Sequence, residues 1–228
     1  MRLDCHCHTI YSKHFLWGYD SISKPRDLIK SAIRKGLDGI AVTDHDCVKG
    51  SLATKKIAKS FKGFIVVTGS EIKTAKGDVQ GLGITEDVPN RLSVEETVER
   101  IHDLGGIAVA VHPFGNYIFR QGVGKEALKA DAIEIFNGAN LFNHSNEKAR
   151  LLARRYKRPV TGGSDAHSTR EVGNCGIEFE GDPLEAIMKK KVKVFGKKNS
   201  MADMARLTYK KFTRAGKWRI LRKRGKRF

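Results

Sequence analysis

Short apolar runs alternate along the chain with longer segments whose apolar residues recur at helical spacing. Apolar runs of about five residues are typical of buried strands, and the periodic segments between them are typical of amphipathic helices. The clear strand candidates are 2–6, 39–43, 63–68, 107–111, 132–136 and 159–162, and the weaker ones are 79–84, 175–180 and 192–195. This alternation predicts an α/β fold made of β/α units.

Helix candidates lie between these strands. The segment 25–35 carries apolar residues at helical spacing and stops at Gly36, which suits a helix end. The segment 93–104 begins with Ser93 and Glu96, three residues apart, which is the pattern of a capping box. Further helices are predicted over 145–156, 183–190 and about 200–215.

Polar side chains follow six of the strand candidates, at the point where each strand ends. These residues are His6, Asp44, Glu71, His112, Asn137 and Asp165. In a parallel barrel the carboxyl ends of the strands meet on one face, where active sites are built. We therefore expect six polar residues from six strands to converge.

The first strand carries the densest pattern. Asp4, His6 and His8 alternate with Cys5 and Cys7, so the two cysteines point away from the histidines and read as small buried residues. Imidazoles two residues apart on one strand face can share a metal ion. A lone histidine at a strand end is usually a satisfied core or loop residue. Several such sites together, crowded with carboxylates, need a cation to neutralise them.

Five motifs in order resemble the polymerase and histidinol phosphatase (PHP) superfamily: Asp4-x-His6-x-His8, Thr43-Asp44-His45, Gly69-Ser70-Glu71, His112-Pro113 and Ser164-Asp165-Ala166-His167. The resemblance covers roughly residues 1–196. It implies a distorted, TIM-like, seven-stranded β/α barrel with up to three metal ions. Residues 197–228 would then form a basic C-terminal helical tail.

The resemblance also implies ligands for each ion. The first ion would be held by His6, His8, Glu71 and Asp165. Glu71 would bridge to a second ion that also takes His112, and either Asn137 or His144 could complete that site. The third ion would be held by His45, His167 and His14. Asp4 and Asp44 fit as outer residues that orient imidazoles, and Arg120 is a candidate phosphate clamp.

Charge is unevenly distributed along the chain. The net charge is +18, and residues 187–228 hold 17 of the 43 Lys and Arg but one of the 25 acids. Such a segment suits nucleic acid or another acidic partner, or it is a solvated end. No apolar stretch reaches the roughly 18 residues of a membrane span. The start of the chain lacks the apolar region of a signal peptide, so we expect a cytoplasmic protein.

The resemblance predicts a metal-dependent phosphoesterase, a phosphatase or phosphodiesterase of a small phosphorylated metabolite or nucleotide. Two or three divalent ions would activate water, with Glu71, Asp165 and His112 as catalytic residues. The mixed nitrogen and oxygen ligands suit Zn, Mn or Fe. One alternative is a nuclease for short or single-stranded nucleic acid, docked by the basic tail. Another is a non-catalytic RNA- or protein-binding scaffold.

Overall fold

The computed structural model describes residues 1–12, 20–115 and 121–223. Its strands are β1 (Arg2–Cys7), β2 (Gly39–Val42), β3 (Ile65–Lys73), β4 (Asp78–Leu82), β5 (Ile107–Ala110), β6 (Ala132–Asn137), β7 (Val160–Gly163), β8 (Cys175–Glu178) and β9 (Lys193–Gly196). They form one sheet in the order β7-β6-β5-β4-β3-β2-β1-β8-β9. All nine strand candidates are thus confirmed.

The helices are α1 (Pro25–Arg34), α2 (Lys49–Ala58), α3 (Val94–Asp103), α4 (Asn143–Arg155), α5 (Pro183–Met188) and α6 (Met201–Lys223), with a 3-10 helix at Gly124–Lys129. The five helices named from the sequence are confirmed, and so is the capping box of Ser93 and Glu96. The apolar pattern did not single out α2. The second residue of that helix is Gly50, where a Cβ atom would lie 1.7 Å from Oδ2 of Asp44.

The sheet curls into a nearly closed barrel. Strands β1, β2, β3, β5, β6 and β7 share one direction, and β4 runs antiparallel to β3 and β5. Just beyond β7, the backbone N–H of Ala166 donates to the carbonyl of His6 at 3.2 Å, and the N–H of His8 donates to the carbonyl of Ala166 at 2.9 Å. These contacts close the barrel between β7 and β1.

Nine strands occur in the described residues, where the family resemblance implied seven. The two additional strands are the antiparallel pair of β8 and β9. β8 pairs with the first residues of β1, with Leu3 opposite Ile177. The contact of β1 with the segment after β7 is short and lies further along the strand. β8 therefore supplies partners for backbone groups that would otherwise be buried without hydrogen bonds.

Part of the apolar core lies between the barrel and its helices. In one cluster Leu28 and Ile29 of α1 pack with Ile40 and Val42 of β2, and all four are fully buried. Burying each such side chain contributes roughly 1.5–3 kcal/mol, which fixes α1 on the barrel. No helix in the described part of the chain is long and apolar enough to cross a bilayer.

A glycine allows β7 to approach β1 where the predicted metal ligands lie. A Cβ atom on Gly163 would lie 2.2 Å from Cβ of His6 and 2.9 Å from Oε1 of Glu134. Real Cβ atoms essentially never approach this closely, so a side chain at this position would displace His6. The close approach aligns the carboxyl end of β7 with that of β1.

Candidate metal centre

Four side chains converge at the carboxyl ends of β1, β3 and β7. The Nε2 atoms of His6 and His8 are 3.1 Å apart. Oε2 of Glu71 lies 3.1 Å from the first nitrogen and 3.2 Å from the second. Oδ1 of Asp165 lies 3.6 Å from Nε2 of His6 and 3.2 Å from Nε2 of His8. All four side chains are buried.

These separations match the spacing of ligands around one ion. Zinc-type bonds of about 2.0–2.1 Å in a tetrahedron place neighbouring ligand atoms roughly 3.3–3.4 Å apart. The five separations that involve an imidazole nitrogen run from 3.1 to 3.6 Å. The two imidazoles with either carboxylate therefore fit a divalent cation in both chemistry and spacing.

Glu71 joins this group to a second one. Its Oε2 atom faces His6 and His8, while its Oε1 atom lies 2.8 Å from Nε2 of His112. His6, Glu71 and His112 offer ligand atoms that all lie within 4.8 Å of one another. A carboxylate that directs one oxygen to each of two ligand groups has the arrangement needed to bridge two ions.

A further group contains His8, Asp20, His45 and His167. Oδ2 of Asp20 lies 3.3 Å from Nε2 of His45 and 2.5 Å from Nε2 of His167. The ring of His8 stacks on that of His167 with centroids 4.3 Å apart. Three imidazoles and one carboxylate again form a donor set for a divalent ion. This group shares His8 with the first one, so the ligand groups are contiguous.

Comparison with known proteins gives consistent matches. The chain is 42% identical over 141 residues to an uncharacterized protein of Methanocaldococcus jannaschii, covering 60% of this chain and 82% of that protein. The PHP-associated family (PHP_C) matches residues 143–190. A solved two-domain protein of Bacteroides vulgatus, described as containing a predicted PHP-like metal-dependent phosphoesterase, superposes with a TM-score of 0.68 at 17% identity, over 92% of this chain and 69% of that one. This chain belongs to the PHP superfamily.

A further relative of this PHP chain carries a functional name. A "Probable phosphatase" of Caldicellulosiruptor bescii is 26% identical over 236 residues, covering 86% of this chain and 94% of the relative. The likeness in sequence therefore extends along nearly the whole of that protein. Together with the ligand groups, it places this PHP chain among relatives named as phosphatases or metal-dependent phosphoesterases.

The remaining predicted site residues of the PHP chain have different placements. His14 and Arg120 lie outside the described residues. His144 is exposed near the start of α4 and stacks on Phe142, so it is not brought to the centre. Asn137 is buried beside the centre, where its Nδ2 atom lies 3.3 Å from Oδ2 of Asp165.

Asp20 is a site residue that the sequence reasoning missed. It occupies the position in the third group for which His14 was the candidate. An aspartate twelve residues after His8 has no local pattern to distinguish it from an ordinary loop residue. Its proximity to His167 depends on a contact distant in sequence, the hydrogen bond from the backbone N–H of Ile22 to the carbonyl of His167 at 3.0 Å.

Glu134 was missed as well. Its Oε1 atom lies 3.0 Å from Nδ1 of His6, and its Oε2 atom accepts hydrogen bonds from the backbone N–H of His112 at 2.7 Å and from Asn137 Nδ2 at 2.9 Å. Outer carboxylates of this kind fix the tautomer and the ring orientation of a ligating histidine. A single charged residue between Ile133 and Ile135, inside an apolar strand, was the available signal.

Asp4 and Asp44 differ from the expectation that they orient imidazoles. Asp4 accepts hydrogen bonds from the backbone N–H groups of Ser164 and Gly173 and from the Ser164 hydroxyl. Asp44 accepts from the backbone N–H and the hydroxyl of Thr9. A buried carboxylate needs several donors, and nearby backbone N–H groups supply them. Both residues therefore hold the loops that carry ligands.

Carboxylates and imidazoles perturb one another strongly in this buried cluster. Burial alone would lower the pKa of His45, but Glu71 and Asp20 raise it to about 10. For His167 burial prevails over Asp20, and the pKa falls to about 4. Burial alone would raise the pKa of Glu71, yet His45 and His6 hold it well below its usual range. An imidazole nitrogen binds a metal ion only when it carries no proton. A bound cation would therefore displace any proton on these imidazole nitrogens.

Two candidate ligands have uncommon backbone conformations. His112 has φ of 32° and Asp165 has φ of 53°, in the left-handed region that favours glycine. Such residues cost of order 1–3 kcal/mol each and occur mostly at active sites and ligand clamps. The strain falls on two residues whose side chains must reach inward from strand ends.

Proposed function

We propose that this PHP protein is a metal-dependent phosphoester hydrolase that acts on a small phosphorylated metabolite or nucleotide. The observation that carries the proposal is the position of Glu71 between two groups of imidazoles. The name of the Caldicellulosiruptor relative supports the reaction class.

Three cation positions follow from the ligand groups. We propose His6, His8, Glu71 and Asp165 for the first ion, and Glu71 with His112 for the second. The third would be held by Asp20, His45 and His167, while His8 serves the first ion and stacks beside His167. Mixed imidazole and carboxylate donors suit Zn, Mn or Fe.

Bound divalent ions would lower the pKa of a water molecule toward neutrality and neutralise phosphoryl oxygens. Glu134 orients the His6 imidazole, and the fold keeps the ligand side chains largely buried. Ser164, Cys7 and Cys175 are poorly suited to act as nucleophiles. The hydroxyl of Ser164 donates to Oδ2 of Asp4 at 2.5 Å. Burial raises the pKa of the Cys7 and Cys175 thiols well above the usual range. These residues support attack by water rather than by a side chain.

A second candidate, a nuclease, is favoured by a basic groove of about 380 Å³ between α1 and α6. Four cationic side chains line it, together with one acid: Lys24, Lys30, Arg34, Lys210 and Asp27. Within the described ranges none of the four cations pairs with an acid. Lys and Arg side chains of this kind bind phosphates without reading sequence.

The non-catalytic scaffold is the alternative that the site geometry disfavours. A scaffold has no need for buried imidazoles and carboxylates at ligand spacing, because each buried charge costs free energy unless it is compensated. The described residues retain three overlapping ligand groups.

The decisive experiment is a substrate panel assayed on metal-free protein reloaded with Mn, Zn or Fe. Nucleotides, sugar phosphates, a chromogenic phosphodiester and labelled oligonucleotides would cover the candidates. We expect hydrolysis of at least one small phosphoester that depends on added metal. Hydrolysis confined to oligonucleotides would favour the nuclease. A fully metal-loaded protein that hydrolyses nothing in the panel would contradict both enzymatic proposals and favour the scaffold.

A further inference from the structure

One face of α6 docks on the barrel. Asp203, Leu207 and Lys211 are spaced four residues apart, so they lie on the same side of the helix. Oδ1 of Asp203 lies 3.5 Å from Nη1 of Arg170, and Leu207 is buried. Nζ of Lys211 donates to Oδ1 of Asp20 at 2.9 Å. The first three turns of α6 are thus held against the barrel.

The segment that leads into α6 is anchored beside the metal centre. The backbone N–H of Asn199 donates to the carbonyl of Gly138 at 2.7 Å, and its Nδ2 atom donates to the carbonyl of Ser164 at 2.8 Å. Ser164 directly precedes the candidate ligand Asp165. The start of α6 is therefore fixed relative to the centre, which sets where Lys211 lies.

The two oxygens of Asp20 have different partners. Oδ2 faces the imidazoles of His45 and His167, whereas Oδ1 accepts from Lys211. The Asp20 side chain is 6% exposed and that of Lys211 is 17% exposed. The lysine therefore holds the carboxylate in the rotation that aims Oδ2 at the imidazole nitrogens.

We propose that Lys211 is a positioning residue of the metal centre, so that α6 is part of the site and not an appended tail. This inference rests on the proposed function, because it takes Asp20 as a ligand of the third ion. A nearby ammonium also repels a cation. The carboxylate lies between the ammonium and the imidazoles. We expect that orienting the carboxylate raises the metal affinity by more than the charge of the ammonium lowers it.

The test compares Lys211→Met with Arg206→Met. Arg206 is an exposed cation of the same helix, so its replacement makes the same change of charge. Titration of Mn or Zn into the metal-free proteins measures the affinity of each site. We expect Lys211→Met to weaken one site by about 10–100-fold, the effect typical of lost outer partners of metal ligands. Arg206→Met should match wild type, and Lys211→Arg should recover most of the affinity.

Asp20→Asn and the double variant Asp20→Asn/Lys211→Met show whether the lysine acts through Asp20. If it does, the second substitution adds little to the first, so the effects are strongly non-additive. The melting temperature of each metal-free protein checks that it folds. Wild-type affinity in Lys211→Met, or additive losses, would overturn the inference and leave the proposed function intact. A wild-type protein that binds no divalent ion would refute both.

Discussion

Oε1 of Glu134 lies 3.0 Å from Nδ1 of His6, while Nε2 of the same imidazole lies 3.1 Å from Oε2 of Glu71. One ring nitrogen is therefore held by an outer carboxylate, and the other is presented to the ligand group. This pair connects β6 to β1 through a side chain, across the interior of the barrel. It determines which nitrogen of His6 is available to a metal ion.

Glu134→Gln should weaken metal binding although Glu134 is not itself a proposed ligand. The amide lacks the negative charge that stabilises the His6 tautomer and accepts the N–H of His112. We expect about 10–100-fold lower affinity at the site containing His6, measured by titration of metal-free protein. Glu147→Gln, at an exposed position of α4, is the matched control. Equal affinities in the two variants would show that Glu134 has no orienting role.

Glu71→Ala should cut activity at least about a hundredfold, because it removes a ligand from two proposed ions together. Metal content should fall by more than one equivalent per chain, measured by elemental analysis after desalting. The same exposed variant, Glu147→Gln, should retain both activity and metal. Wild-type turnover by Glu71→Ala, with metal content verified, would count decisively against a bridging role.

The metal-free protein should be most stable near pH 6.5. His45 has a folded-state pKa of about 10 against an ordinary value of 6.5, so its contribution is complete below pH 6.5 and is lost as the pH rises toward 10. His167, with a pKa of about 4, has the opposite sign, because the unfolded chain binds its proton more readily. The lowered pKa of His167 therefore makes the free energy of unfolding rise between pH 4 and pH 6.5.

Melting temperatures of metal-free protein across pH 4–9 would test this profile. His45→Gln should reduce the slope on the alkaline side and leave the acid side similar. Added Mn should raise the melting temperature more at pH 8 than at pH 6, because bound metal requires deprotonated imidazoles. A metal-induced rise that is equal at both pH values would mean that protons and metal do not compete for these side chains.

Deleting residues 217–228 should weaken nucleic-acid binding and leave the metal centre unchanged. The deletion removes seven Lys and Arg residues but keeps Lys211. We expect weaker oligonucleotide binding, with a shallower salt dependence, and unchanged hydrolysis of a small chromogenic phosphodiester. Fluorescence anisotropy at low salt measures the first and an absorbance assay the second.

A full-length variant with those seven residues replaced by glutamine would distinguish charge from length. If oligonucleotide affinity at low salt does not change in either protein, the segment is a solubilising end. If hydrolysis of both kinds of substrate is lost, residues 217–228 belong to the fold.

The strands and most of the residues that meet at the centre could be predicted from the sequence. Runs rich in apolar residues marked all nine strands, because strands of this fold bury most of their side chains. Parallel strands direct their carboxyl ends to one face, so the polar residues that follow them had to converge. His6, His8, Glu71, His112 and Asp165 could be named for this reason before any coordinates. Their division among three ions came from the resemblance to the PHP superfamily.

The supporting contacts could not be predicted from the sequence. Glu134 meets His6 across 128 positions of sequence, and Lys211 meets Asp20 across 191. Neither pair has a local pattern. Glu134 stands out as an acid in an apolar strand, but no nearby residue identifies His6 as its partner, and a lysine in a basic helix is ordinarily a surface residue. Which side chain such a residue reaches depends on the closure of the barrel and on the docking of α6. Those are set by packing between distant elements, which no short stretch of sequence contains.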